Sequence, residues 1–246
     1  MPCVRANGKL LFFAHVPKTG GSSVEDYLAA RFGPLSMLDR GWFGYRYGGG
    51  GARSAGLLTS PQHLTAADAG RLFQTPPDWS FAVVRDPVAR IVSEYRYMAA
   101  RGRRPWRWLA KAGFSPWLHT VLRAARHDPT IFDNHLRPQS DIVPAEAEVF
   151  RLEDGLDALI ARIDAVTGTT APGLAMGHAL KSGPADRPDP APADLAAIGQ
   201  AYASDYARFG YPPPASRRRG MRGVLRRIPA AVAGPILAHL WRSGRL

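Results

Sequence analysis

Residues Lys9–Val16, KLLFFAHV, form a short and almost unbroken apolar run, the pattern of a strand covered on both faces. Pro17–Ser23, PKTGGSS, interrupts it with a turn of small residues, and Val24, Tyr27, Leu28 and Phe32 then recur at helical spacing. Strand, tight turn and helix open an α/β unit. The same grammar returns at Trp79–Arg85, WSFAVVR, a second apolar strand that stops at Asp86-Pro87. Pro87 suits the first turn of a helix running through Ile91, Val92, Tyr95 and Met98. Glu148–Leu152, EVFRL, predicts a third strand, followed by an amphipathic helix over Glu153–Val166 with Leu156, Leu159, Ile160 and Ile163 inward. Between these, Thr65 and Asp68 predict a capped helix ending near Phe73. Residues 106–127 predict helix broken at Gly113–Pro116, and residues 194–209 one last helix with Leu195, Ile198, Tyr202 and Tyr206. Strands alternating with helices predict an α/β fold around a parallel sheet.

Two stretches stand apart. Residues 33–58 carry Gly41, Gly44 and the run Gly48–Gly51 among Trp42, Phe43, Tyr45 and Tyr47, the make-up of a flexible aromatic loop suited to covering a ligand. From Ser216 to Leu246 there are 8 arginines and no acid, so this tail holds +8 of the net +12 and divides the chain into a domain over 1–215 and a basic amphipathic extension over 216–246. Its apolar part is too short and too broken by Gly and Pro to span a bilayer, but it suits an anionic membrane surface or a partner protein; a plain terminal extension is the alternative.

The 246 residues suffice for a buried core, and 46% hydrophobic against 21% charged residues excludes wholesale disorder. A single cysteine, Cys3, excludes an internal disulfide framework and a cysteine-based zinc site. With no strong secretory signal at the N-terminus, the expected setting is cytoplasmic. The basic excess suits acidic partners such as nucleotides, anionic glycans or anionic lipid. A second basic block, Arg96, Arg101, Arg103, Arg104, Arg107, Lys111, Arg123 and Arg126, has no acid within it and is interleaved with Trp106, Trp108 and Trp117. Indole rings stack on sugars while arginines meet carboxylates or sulfates, but the tryptophans fit a helical core at least as well.

The candidate chemistry concentrates in PKTGGSS. Gly20 and Gly21 let the backbone approach an anion, the first amides of the following helix point at it, Thr19, Ser22 and Ser23 add hydroxyls, and Lys18 adds a charge. The lysine precedes the glycines, which departs from the G-x-x-x-x-G-K-[ST] pattern of nucleotide triphosphatases. A second candidate, RDPVARIVSEY, puts Arg85 at the C-terminal edge of a parallel strand, where open α/β sheets bind ligands, with Ser93 eight residues on. Taken singly, Lys18 fits a surface lysine, Arg85 an ordinary salt bridge and Ser93 a helix-surface hydroxyl.

Together, in this order, PKTGGSS and RDPxxRxxSxY resemble the sulfotransferase superfamily, and most closely its carbohydrate-acting branch. DNHLRPQS over Asp133–Ser140, VFRLEDGLDAL and YASDYARFGY extend the likeness to residues 10–211. The resemblance implies a P-loop-like three-layer fold whose central parallel sheet is flanked by helices. It implies 3′-phosphoadenosine 5′-phosphosulfate (PAPS) as donor, 3′,5′-adenosine bisphosphate as product, and no metal. Lys18, Thr19, Gly20, Gly21, Ser22 and Ser23 then match the binders of the 5′-phosphosulfate, with Lys18 stabilising the departing phosphate, and Arg85 and Ser93 match the binders of the 3′-phosphate. Asn134, Arg137 and Gln139, with His135, match a segment facing the acceptor, and Lys181-Ser182 a loop folding over the nucleotide. The implied acceptor is a hydroxyl on a glycan or glycolipid, with no nucleic acid partner. For the proton that the acceptor loses, His63 is the candidate base, between the two phosphate motifs, and Glu25, within the first helix, is its rival. Two other classes compete: a nucleotide kinase on a related fold, which would need ATP and magnesium, and a non-catalytic polyanion-binding module driven by the basic tail.

Overall fold

The three predicted strands form in the computed structural model, which describes residues 1–37, 59–73, 75–101, 106–177, 187–214 and 239. They are β2 (Lys9–Ala14), β3 (Trp79–Val84) and β4 (Glu148–Arg151), joined by an edge strand β1 (Cys3–Ala6) in a sheet of order β1-β2-β3-β4. β2, β3 and β4 run parallel, with Phe13 opposite Phe81 and Val83 opposite Phe150. β1 is antiparallel to β2, so the sheet is mixed. Its hairpin turns at Asn7-Gly8, both at positive φ (49° and 79°), the conformation that an Asn-Gly turn supplies. The apolar patterning of Cys3–Ala6 is too short to announce a strand by itself.

The chain divides into two compact units, Met1–Arg85 with Gln139–Lys181, and Asp86–Pro138 with Ser182–Leu246. The first contains the sheet and the helices α1 (Gly21–Phe32), α2 (Ala66–Leu72), α6 (Gln139–Ile142) and α7 (Asp157–Thr167). Alternate residues of the strands, Leu11, Phe13, Trp79, Phe81 and Val83, pack with Val24, Tyr27 and Leu28 of α1 and Leu159 and Ile163 of α7. β3 is buried at every position, as a central parallel strand requires. A row of stacked rings crosses this core, from Trp79 to Phe81 (4.4 Å), Phe81 to Phe13 (5.1 Å) and Phe13 to His15 (5.3 Å). Thr65 caps α2 as predicted: its hydroxyl oxygen accepts the Asp68 amide at 3.1 Å, and the Asp68 carboxylate accepts the Thr65 amide.

The second unit is helical, with α3 (Pro87–Arg101), α4 (Trp106–Lys111), α5 (Phe114–His127), α8 (Pro192–Ala201) and α9 (Ala203–Phe209). Tyr95 meets Phe114 and Trp117 edge-on at 5.3 Å, and Trp117 is fully buried, so this tryptophan belongs to the core. Trp108 is 59% exposed.

Three helix boundaries differ from the expectation. The predicted helix over 194–209 is two helices, because Tyr202 (φ −117°, ψ 28°) leaves helical geometry while burying its ring and donating its hydroxyl to the Leu136 carbonyl at 2.9 Å. The helix predicted from Glu153 starts at Asp157, since a 3-10 turn over Leu152–Asp154 ends at Gly155 with φ 82°. The interruption in 106–127 falls at Ala112 and Gly113 (φ 107°), while Pro116 lies inside the first turn of α5, where its missing N–H costs nothing. The aromatic loop over 38–58, Lys181-Ser182, Arg103 and Arg104, and the basic tail apart from His239 lie outside the described residues. Among the described residues no helix is long and apolar enough to cross a membrane.

Replacing Thr65 with Ala removes the side-chain half of the capping box. The expected cost is about 1 kcal/mol of stability, read as a lower urea midpoint at unchanged slope.

Candidate active site

The turn between β2 and α1 is built to leave a helix N-terminus open. Gly20 is the N-cap residue of α1, in the left-handed region (φ 87°, ψ 11°), and no side chain caps the helix. There is also no acidic residue in the first turn. The first amides of a helix lack intrahelical partners, and here neither a carboxylate nor a hydroxyl of the cap competes for them. Thr19, fully buried, donates its hydroxyl to the Val16 carbonyl at 2.9 Å and so closes the turn from within. Lys18 is itself left-handed (φ 70°), an unusual conformation for a side chain with a Cβ. Ser22 is half-buried and Ser23 buried within the first turn of α1.

The two glycines have separate reasons. Gly20 needs its positive φ, and a Cβ there would come within 3.0 Å of Leu152 Cδ1. At Gly21 a Cβ would meet His15 Nε2 at 2.0 Å, so the glycine makes room for an imidazole. His15 ends the β2 run and is 5% exposed. Its Nδ1 lies 2.5 Å from Glu25 Oε1 on α1. Gln62 donates its amide to the same Glu25 oxygen at 2.7 Å, and its nitrogen lies 3.2 Å from His15 Nδ1. His63, in a 3-10 turn over Pro61–His63, meets the His15 ring edge-on at 4.9 Å and is likewise buried. The two candidate bases, His63 and Glu25, are therefore brought to one cluster through His15. Glu25 does not point away from the turn; it is 2% exposed and bound to His15. Burial works against its charge, but the charge of His15, hydrogen bonds from His15 and Gln62, and the charge of His63 outweigh it and hold the carboxyl below its ordinary value of 4.5.

Arg85 follows β3 and donates from Nη1 to the Lys18 carbonyl at 3.3 Å, so the first residue of the second motif meets the first motif within the first unit. Gln139 clasps the Arg85 peptide: its Oε1 accepts the Arg85 amide at 2.9 Å and its Nε2 donates to the Arg85 carbonyl at 2.8 Å. The carboxamide is fully buried and bonds both polar groups of that backbone, which makes Gln139 a support for Arg85.

Ser93, Asn134 and Arg137 belong to the second unit. Ser93 is half-buried on α3. Asn134 ends a run of three left-handed residues, Phe132, Asp133 and Asn134 (φ 53°, 60° and 64°), and its Oδ1 accepts from Arg137 Nε at 2.9 Å. Arg90, fully buried, holds this segment by donating to the carbonyls of His135 (2.8 Å) and Arg137 (2.7 Å), while Glu94 meets His135 Nδ1 at 2.9 Å.

Sequence reasoning passed over His15, Gln62, Arg90 and Glu94. For His15 a signal existed: an imidazole closing an otherwise apolar strand, at the edge where α/β sheets work. Glu25 stands four residues after Gly21, which puts its carboxylate on the same helix face.

A family model described as the sulfotransferase family matches residues 3–166. No curated protein and no solved structure matches the chain.

Gly21→Ala drives a methyl group into the His15 ring. Overpacking of this kind is expected to cost about 1–3 kcal/mol, measured by urea unfolding, with Gly70→Ala in α2, where a Cβ would meet nothing within 4 Å, separating the steric term from the general effect of alanine in a helix. The lowered pKa of Glu25 has a signed consequence: its pairing adds stability above the unfolded carboxyl's 4.5, and this is lost as pH falls through the folded value. Glu25→Gln is expected to flatten that acid-side loss in urea midpoints measured between pH 7 and pH 3.

Proposed function

The chain belongs to the sulfotransferase family, and we propose that it moves a sulfuryl group from PAPS to a hydroxyl of a carbohydrate. The observation that carries this reading is the uncapped N-terminus of α1, with Lys18 in the turn before it and Arg85 hydrogen-bonded to that turn. An uncapped, acid-free helix start beside two cations fits the doubly charged end of such a donor. When bound, PAPS supplies the sulfuryl group: the acceptor oxygen bonds to sulfur as the bond from sulfur to the phosphate oxygen breaks, and that electron pair leaves with the phosphate.

The chain's own residues then divide the work. The first amides of α1, with Thr19, Gly20, Gly21, Ser22 and Ser23 shaping the turn, bind the phosphosulfate. Lys18 stabilises the charge growing on the leaving phosphate. Arg85, held by Gln139, binds the 3′-phosphate, the role the resemblance also gives Ser93. His63 takes the acceptor's proton. Asn134 and Arg137 are proposed for the acceptor. The arginine-rich balance of the chain and exposed Trp108 support an anionic sugar chain as acceptor. The eight arginines of 216–246 support peripheral contact with an anionic membrane, and a single cysteine supports a reducing, cytoplasmic setting.

Thermal unfolding with 3′,5′-adenosine bisphosphate, against AMP and against ATP with magnesium, tests the donor. At about 100 times its dissociation constant a ligand adds roughly 2.7 kcal/mol, which in a chain this size raises the midpoint by several degrees at roughly 2–4 °C per kcal/mol. The expected result is a shift with the bisphosphate, lost in Arg85→Ala; a response to ATP with magnesium alone would replace this reading by the kinase. Lys18→Ala is expected to lower kcat by roughly 10²–10³ with little change in bisphosphate affinity, since its best interaction comes late in the reaction.

A further inference from the structure

We propose that Glu25 and His15 form a positioning dyad for His63, and that Gln62 ties the dyad to the turn carrying that histidine. The proposal deepens the sulfotransferase reading and rests on it for the role of His63.

Glu25 is a buried carboxylate on α1 that takes no proton in the reaction as proposed, with His63 as the base. A buried carboxylate is costly unless its oxygens are paired, and two of its contacts converge on one oxygen: His15 Nδ1 at 2.5 Å and the Gln62 amide at 2.7 Å. The short contact assigns a proton to His15 Nδ1, because a carboxylate accepts and the ring must donate. A histidine bound through Nδ1 to a carboxylate has its tautomer and ring plane set by that partner. The other ring contacts complete the clamp: Phe13 stacks on one side at 5.3 Å, Gly21 offers its bare Cα to Nε2, and His63 abuts edge-on at 4.9 Å.

The second arm of the dyad runs through the backbone. Gln62 and His63 are neighbours in one 3-10 turn, and Thr65 caps the next helix two residues on. The Gln62–Glu25 hydrogen bond therefore anchors the chain beside His63 to α1, the helix whose uncapped N-terminus is proposed to bind the donor. Glu25 acts on His63 in two ways. It sets where His63 stands, through the His15 ring and the Gln62 turn. Its negative charge also favours the imidazolium that His63 becomes on taking the acceptor's proton, in the way an orienting carboxylate serves a proton-accepting histidine. No proton passes to Glu25. The groups facing the carboxylate from the elements around it are His15, His63 and the neutral Gln62.

The test compares the full-length chain with Glu25→Gln, Glu25→Asp and Gln62→Ala. Three readouts are taken: bisphosphate binding by calorimetry, proton NMR of the imidazole N–H region, and kcat against pH with PAPS. The wild type is expected to show a far-downfield N–H resonance from His15, absent in Glu25→Gln and retained in Glu25→Asp. Bisphosphate affinity is expected to stay within about threefold in Glu25→Gln, while kcat falls by roughly 10²-fold or more and the acid limb of its profile moves to lower pH; Glu25→Asp recovers part of the rate. Gln62→Ala, which leaves both histidines and the carboxylate in place, is expected to lower kcat by roughly tenfold, and it carries the test if Glu25→Gln does not fold. A Glu25→Gln protein with wild-type kcat and profile, or a wild type without the downfield resonance, overturns the dyad while leaving the sulfotransferase reading intact. A folded wild type that neither binds the bisphosphate nor transfers sulfate overturns that reading, and the catalytic half of the dyad with it.

Discussion

A buried strand that runs straight into a helix leaves that helix's start without a side-chain cap, and the turn between them is shaped by this constraint. The turn accommodates it by reversing the backbone at Lys18 and Gly20, both left-handed, and by closing from inside through the Thr19 hydroxyl on the Val16 carbonyl. It supplies no carboxylate of its own in the first turn of α1. Arg85 joins this turn by donating to the Lys18 carbonyl, so two basic residues meet in the approach to an acid-free helix start. Gly21 gives up its side chain for a different purpose, which is to admit the His15 ring.

Each unit buries a Glu–His pair, and each pair holds a segment that regular secondary structure does not. In the first, Glu25 and His15 meet at 2.5 Å beside the turn between β2 and α1 and draw in the Gln62–His63 turn. In the second, Glu94 and His135 meet at 2.9 Å, and Arg90 binds the carbonyls of His135 and Arg137. Three consecutive left-handed residues, Phe132–Asn134, precede that clamp. Such backbone is costly unless the surroundings determine it, and charge-assisted hydrogen bonds from a fully buried guanidinium do so. Burying these charges stabilises the chain little in itself, because desolvation offsets much of the attraction; what it determines is where a few polar side chains stand.

Gln139 shows a task that its residue type alone does not announce. A polar side chain beside Arg137 in a family-like segment reads as a ligand contact. In the fold its amide pairs both ends of the Arg85 peptide, as a neighbouring strand would, just where β3 ends and Arg85 leaves the sheet. It holds the backbone of the arginine that reaches the Lys18 carbonyl.

The strands β2 and β3, the helix start at Pro87, the Thr65 cap and the small-residue turn carrying Lys18 were legible along the chain, because each is written in adjacent residues: an apolar run, a proline, a hydroxyl three residues from an acid, two glycines. The short edge strand β1 and the division of the last helix at Tyr202 were not, since one depends on pairing with β2 and the other on a hydroxyl that reaches the Leu136 carbonyl. The partnerships of the buried polar groups were decided by tertiary structure alone. Glu25 and Gln62 are 37 positions apart and Arg85 and Gln139 54. They meet only once β2, β3 and β4 have paired in register and α1 has packed on the sheet. A hydrogen bond needs its donor and acceptor within about 3 Å and aligned, and no local pattern of hydrophobic and polar residues carries that information across such distances.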